Sequence, residues 1–343
     1  MTNFWKQLSK PIVALAPMED VTDTVFREVI RSVSDPAALQ VLFTEFTSTD
    51  GLCNKIGRRN VSTRLLVSDT ERQWLERTQT KLVAQIWGSD PDKFFRSAQL
   101  ISEIYQFDGI DINMGCPVKK VVRSKSCSAL INDPTLAKEI ILATKEATKL
   151  PVSVKTRIGF NEIITEKWIG ELLDVNPAVI TVHGRTQSML STGKALWPEI
   201  AKAVQLRNDR KSDTLILGNG DVDSYALAMD YVNRFGVDGV MVGTGIFKNP
   251  WMFNLSEVAV SLDMRISLLK THIGLYDKVW GESQNFNVLK RFFKIYLTGF
   301  NGAAEWREKL MACKNCSEAL QALAMLEAEQ SILPELRSDL NHR

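Results

Sequence analysis

The sequence predicts a (β/α)8 barrel followed by an all-helical C-terminal domain, on three observations. Eight apolar runs of strand length recur up to residue 243, segments with helical start signals lie between them, and beyond residue 251 only helical periodicity remains. Eight strand–helix units in about 250 residues match a barrel, whereas a doubly wound sheet more often stops at five or six strands.

The elements follow in order. Ile12–Ala16 ends in Ala14-Leu15-Ala16, which imitates a signal-peptide cleavage site, but the apolar run is too short for a signal core and reads as the first strand. Val41–Phe46 and Leu82–Trp87 are the second and third. Ser89-Asp90-Pro91 then opens a helix over Lys93–Tyr105, a capping residue followed by proline in the first turn. After the fourth strand, Gly109–Asn113, Asp133-Pro134 opens a helix over Leu136–Thr148 in the same way. Val152–Thr156, Val179–His183, Leu215–Asn219 and Gly239–Gly243 complete the set. The runs are rich in Val and Ile and apolar on both faces, as strands of a covered parallel sheet are. Past Pro250-Trp251, helical spacing marks Ser267–Val279, Val288–Thr298 and Cys316–Glu329. The expected division is a catalytic barrel over 1–258 and a helical domain over 259–343.

At 45% hydrophobic and 24% charged the chain is neither disordered nor collagen-like. No apolar run approaches the roughly eighteen residues of a membrane span, and no membrane association is expected. With 42 basic against 40 acidic residues the net charge is +2, so a polyanion must be met by a local patch. Five cysteines, an odd number in so long a chain, point to a reducing, cytoplasmic setting. No obligate protein partner is evident.

Barrel active sites gather at the C-terminal strand ends. Here those ends read Ala16-Pro17-Met18-Glu19, Thr44-Glu45-Phe46, Gln85, Asp111-Ile112-Asn113-Met114-Gly115-Cys116-Pro117, Lys155, His183-Gly184-Arg185, Asn219-Gly220-Asp221 and Gly243-Thr244-Gly245. Polar groups at the ends of apolar strands are costly to bury unless something binds there. The last two turns follow strands seven and eight, and their glycines let backbone N–H groups meet an anion, so a phosphate-bearing cofactor is expected. Lys155 and His183 suit the electron-rich edge of a flavin, because a fixed cation stabilises the charge that builds on reduction. Singly they read also as a solvated lysine and a packed histidine. Cys116 reads two ways as well, as a general acid or as a small buried hydrophobe. Lys119, Lys120, Arg123 and Lys125 follow it with no acidic residue before Ser128, a mobile basic loop suited to delivering a polyanionic substrate.

Taken together, Ala16-Pro17-Met18 with Val21-Thr22-Asp23 and Phe26-Arg27, Asp111–Pro117 with Lys119-Lys120-Val121, Val154-Lys155-Thr156-Arg157, His183-Gly184-Arg185-Thr186, Asn219-Gly220-Asp221 and Asn249-Pro250-Trp251 resemble the FMN-dependent tRNA-dihydrouridine synthases. The match spans essentially the whole barrel in order. The tail, with Tyr296–Phe300 and Leu310, is similar to that family's tRNA-binding domain only loosely. The resemblance implies an FMN in the barrel mouth, reduced by NADPH or NADH, and a uridine turned out of the tRNA. Hydride would pass to C6 of the uracil while Cys116 protonates C5. By position, Pro17, Met18, Glu19, Gln85, Lys155, His183, Asn219, Gly220, Asp221, Gly243 and Thr244 would contact FMN. Asn113 and Arg185 would face the base or its phosphates. Lys119, Lys120 and Arg123 from the loop and Lys290, Arg291 and Lys294 from the tail would meet the tRNA. Two positions depart from the family's pattern: Cys127 stands where glycine is usual, which bears on loop closure, and Thr244 replaces an arginine.

Between Gln284 and Cys316, Lys290, Arg291, Lys294, Arg307, Lys309 and Lys314 outnumber Glu305 and Glu308, with Phe292, Phe293, Tyr296 and Phe300 interleaved. The pattern fits an RNA-contacting surface and equally a packed helix with a solvated face. Lys55, Arg58, Arg59 and Arg64 form a second cluster after strand two. Cys313 and Cys316 have zinc-ligand spacing, but a structural site wants four ligands and the one histidine nearby in sequence is His342, so the pair is expected to pack and no metal is expected. Two rival functions stand beside the main one. A flavin barrel of the dihydroorotate-dehydrogenase type would act on a free pyrimidine, but that family has asparagine after its Cys-Pro where this chain has Val118-Lys119. A protein binding RNA without turnover is the other.

Overall fold

The computed structural model describes residues 3–340; His342 and the last three residues of the expected helical domain lie outside them. Eight parallel strands close into a barrel in sequence order. They are β1 (Ile12–Leu15), β2 (Val41–Ser48), β3 (Lys81–Trp87), β4 (Gly109–Met114), β5 (Val152–Arg157), β6 (Val179–His183), β7 (Leu215–Asn219) and β8 (Gly239–Val242). The expected helices run over Pro91–Ile104 and Pro134–Ala147, each capped by the aspartate before its proline: Asp90 accepts from the Asp92 and Lys93 N–H groups, and Asp133 from Leu136.

Two apolar cores follow from strands that are apolar on both faces. The outer one lies between strands and helices. The inner one fills the lower lumen with Ile12, Ala14, Val41, Phe43, Val83, Val179, Leu215, Leu217 and Met241. A short 3-10 turn, Phe4–Lys6, closes its N-terminal end. Trp5 is fully buried there, stacked on Phe4 at 4.7 Å and 6.3 Å from Phe43. On β2 the register slips between Phe43 and Phe46. Such a bulge re-aims side chains, and here it sends Phe46 over the barrel mouth while Glu45 accepts from the Asp20 N–H at 2.6 Å.

The tail forms helices over Leu262–Val279, Asn287–Lys290, Phe293–Tyr296, Ala303–Ala312 and Cys316–Leu340. The single helix expected over Val288–Thr298 is broken after Lys290. Leu289, Phe292, Phe293, Ile295, Tyr296 and Leu297 are all buried, more directions than one amphipathic face can serve. Phe292 stacks on Phe26 at 5.2 Å, whereas Phe293 turns to Phe286. The aromatics between the cations are therefore core, the second of the two readings. The helix Ala303–Ala312 was not expected, because only Ala303, Trp306 and Leu310 carry its buried face. The tail is seated on the first βα unit: Trp280 Nε1 donates to Asp23 at 2.7 Å, and the same carboxylate caps helix Thr24–Ser32. Cys313 and Cys316 are buried where one helix ends and the next begins. Among the described residues no helix is long and apolar enough to cross a membrane, and no group of three or more His, Cys, Asp or Glu is arranged to hold a metal.

Candidate active site

A cavity of about 310 Å³ opens at the C-terminal end of the barrel, walled by Pro17, Met18 and Phe46 and lined on its polar side by Asn113, Cys116, Lys155, Arg157, His183, Arg185 and Asn219, with the turns at Gly220-Asp221 and Gly243-Thr244-Gly245. Pairing of neighbouring strands brings these side chains together, setting Asn113 beside Lys155, Arg157 beside His183, and His183 beside Asn219.

Beneath the cavity lies a buried polar layer. Asp111 accepts from Gln85 Nε2 at 2.6 Å and Ser153 Oγ at 2.5 Å, and Gln85 Oε1 accepts from Asn113 Nδ2 at 2.9 Å. Burial pushes the Asp111 carboxyl up to about 6, against those hydrogen bonds and the charge of Lys155. Asn113 passes the order upward, its Oδ1 accepting from the N–H groups of Gly115 at 3.0 Å and Cys116 at 2.9 Å. Gln85 thus braces the thiol-bearing turn from below the floor instead of lining the cavity.

Lys155 Nζ donates to Asn219 Oδ1 at 3.1 Å, while Asn219 Nδ2 donates to the Met241 carbonyl at 2.8 Å. Burial and the neighbouring Arg157 draw the ammonium down to about 8, with Asp111 and Cys116 opposing. His183 is held well below its ordinary value, by burial first and then by Lys155, Arg157 and Arg185. It is a neutral imidazole, so the cation of this pair is Lys155 alone. Arg185 Nη1 lies 3.2 Å from His183 Nε2; a guanidinium only donates, which puts the imidazole proton on Nδ1. Arg185 itself is buried and spent on the Thr192 and Gly193 carbonyls and on Asp221, at 2.7 and 2.8 Å. Asp221 also accepts from the Ala195 N–H at 2.6 Å, so its carboxylate faces Arg185 and the Ala195 turn.

Cys116 is half-buried at the cavity edge. Its thiol is drawn down to about 7, chiefly by a hydrogen bond from Cys127, then by the Val118 N–H and the charges of Arg157 and Lys155, against desolvation. Arg157, quoted from the sequence only within the Val154-Lys155-Thr156-Arg157 motif and given no site role, ties the loop after β4 to the loop after β6: Nε to the Gly115 carbonyl at 2.7 Å and Nη1 to Thr186 and Leu190 at 2.9 and 2.7 Å. Its signal was the alternation that turns Lys155 and Arg157 to the same side of one strand end.

The other expected residues lie elsewhere. Glu19 turns out to Arg64, at 3.0 Å. Lys119, Lys120, Arg123 and Lys125 are exposed and free of ion pairs among the described residues, but Lys119–Arg123 is a short helix, anchored by buried Val121, and not a loose loop. Lys290 donates to the Met311 carbonyl, and Arg291 to that of Asp20 at 3.0 Å. Arg291 and Lys294 line, with Lys248, a groove of about 540 Å³ at the seam of barrel and tail.

The cavity suits a flat, phosphate-bearing ring system. Among the described residues Lys155 Nζ makes one hydrogen bond, to Asn219, and a Cβ at Gly243 would meet only Ala16 and Asn219, at 3.9 and 4.0 Å, so the open space there belongs to the cavity. Gly220, at φ 124°, could take no side chain without meeting Ala195 at 2.7 Å.

A family profile described as Dihydrouridine synthase (Dus) matches residues 14–332. A Staphylococcus epidermidis protein named "Probable tRNA-dihydrouridine synthase" is 39% identical over 336 residues, 97% of this chain and 99% of its own. A Staphylococcus aureus protein of the same name is 40% identical over 329 residues, 95% and 96% of the two chains. "Probable tRNA-dihydrouridine synthase 2" of Bacillus subtilis is 39% identical over 318 residues, 92% and 94%.

Proposed function

The chain belongs to the dihydrouridine synthase family and reduces uridine in tRNA; we propose that the hydride comes from FMN in the barrel mouth, itself reduced by NADPH or NADH, and the proton from Cys116. The observation that supports this reading best is the single cavity in which a thiol drawn down to about 7 faces Lys155 and Arg157.

FMN when bound supplies a hydride for C6 of the uracil. Lys155, oriented by Asn219, holds a positive charge at the floor where negative charge builds. His183, neutral and with its proton on Nδ1, offers a donor without adding charge. The turns at Gly220 and Gly243-Thr244 present backbone N–H groups to the phosphate, and Thr244 leaves that work to the backbone. Pro17 and Met18 wall the ring. Gln85 and Asp221 act at one remove, through Asn113 and Arg185. Asn113 holds the turn that points Cys116 toward C5, and Cys116 gives up its proton there. Lys119, Lys120 and Arg123 meet tRNA phosphates beside the thiol, and Lys294 with Arg291 meets them at the seam, which makes 1–258 the catalytic barrel and 259–343 the tRNA-binding domain. The working thiol fits a cytoplasmic setting.

The test is the absorption spectrum of the purified protein. A yellow flavin should bleach with NADPH and recover on adding tRNA, with dihydrouridine appearing in the tRNA. Recovery with a free pyrimidine but not with tRNA would favour the dehydrogenase reading. A protein that holds no flavin and takes none up would refute the site.

A further inference from the structure

Cys127 is completely buried, and its backbone sits at φ 56°, the left-handed region that a side chain disfavours. Lys125, two residues earlier, has the same φ of 56°. The segment is pinned in this shape by its neighbours. Ser128 donates to the Cys116 carbonyl through Oγ at 2.8 Å and through its N–H at 3.4 Å, and the Ser126 N–H donates to the Val121 carbonyl at 3.1 Å. The strained turn, tied to the Cys116 carbonyl through Ser128, thereby sets the buried Cys127 side chain beside that of Cys116, close enough for each thiol to bear on the other.

The other groups facing Cys116 are few. Its own loop offers the Val118 N–H, and β5 offers Arg157 and Lys155. His183 at the end of β6 and Arg185 in the loop after it face Arg157 in turn, and buried Asp111 from β4 faces Lys155.

We propose that Cys127 is a positioning residue for the proton donor: its thiol stays protonated, donates to the Cys116 sulfur, aims it, and holds the thiolate left after transfer. In that step the Cys116 S–H bond breaks, the C5–H bond forms, the electron pair stays on the Cys116 sulfur, and the Cys127 S–H bond remains intact. The inference rests on Cys116 being the donor. The pair is asymmetric in the required sense, since burial keeps the Cys127 thiol well above the ordinary range while Cys116 is drawn down.

The experiment reads the pH dependence of Cys116 alkylation by iodoacetamide, under reducing pre-treatment, with mass spectrometry of the peptide carrying residue 116. It needs neither flavin nor tRNA. Cys127→Gly removes the thiol and relieves the left-handed backbone, whereas Cys127→Ser keeps a donor. The parent midpoint is expected at about 7. Loss of a charge-assisted hydrogen bond should raise it by roughly one to two pH units in Cys127→Gly, with Cys127→Ser close to the parent and the turnover pH profile moving in the same direction. An unmoved midpoint in Cys127→Gly, or a serine variant that behaves like the glycine variant, overturns the proposal. Normal turnover in Cys116→Ala would instead overturn the reading beneath it, whatever the alkylation shows.

Discussion

The two ends of the barrel lumen belong to one closed sheet and do opposite work. At the N-terminal end Ile12, Val41, Phe43, Val179 and Leu215 turn inward over Trp5, and the side chains of the layer are apolar. Toward the C-terminal end β3 to β7 turn in Gln85, Asp111, Asn113, Lys155, His183 and Asn219. The change happens within one strand, two residues on along the same face: Leu217 to Asn219 on β7. Stability is thus concentrated at one end and chemistry at the other, and a substitution should move one without the other.

The largest expected effect is at the top. Cys116→Ala should lower dihydrouridine formation by roughly two to four orders of magnitude, while thermal melting and flavin retention stay near those of the parent. A melting temperature that falls along with activity would break the separation. Cys127→Ala belongs beside it, since that thiol is the obvious substitute donor.

At the bottom the effect should reverse. Trp5→Ala empties a fully buried site and should cost about 3–5 kcal/mol in denaturant titration, with the specific activity of the folded fraction unchanged.

The polar layer between the ends should show as a pH dependence. Asp111 has a folded value of about 6 against an ordinary 3.8, so the stability linked to its neutral form is full below about pH 4 and is lost as pH rises through 6. Relative to Asp111→Asn, the parent should lose up to ~3 kcal/mol over that window. Equal pH slopes in the two proteins would remove Asp111 from the account.

The smallest effect tests whether the tail works with the top. Lys294→Ala should lower the slope of log K for tRNA against log salt by roughly 0.7–0.9 and leave NADPH oxidation without tRNA unchanged. An unchanged slope would return Lys294 to a solvated face.

All eight strands were legible because each is a short Val- and Ile-rich run, and the observed bounds fall within two residues of those expected. The polar strand ends were legible for the same reason, since Lys155, His183 and Asn219 interrupt apolar runs. The tail was legible only as helical. Its residues 288–298 have helical spacing, but burial of Phe292 and Phe293 toward different partners breaks the helix, and local spacing carries no record of a partner.

The sequence by itself therefore determined which segments are strands, where polarity begins on each, and which residue carries the thiol. Only the tertiary structure decided what each polar group meets: Gln85 with Asn113, Arg185 with Asp221, Cys127 with Cys116, and Phe292 with Phe26 from the far end of the chain. Apolar periodicity is a property of neighbours two to four residues apart. Closure of the barrel and docking of the tail set contacts between residues tens to hundreds of positions apart, and those contacts raise the titration point of a buried aspartate, spend an arginine, or place a second thiol beside the first.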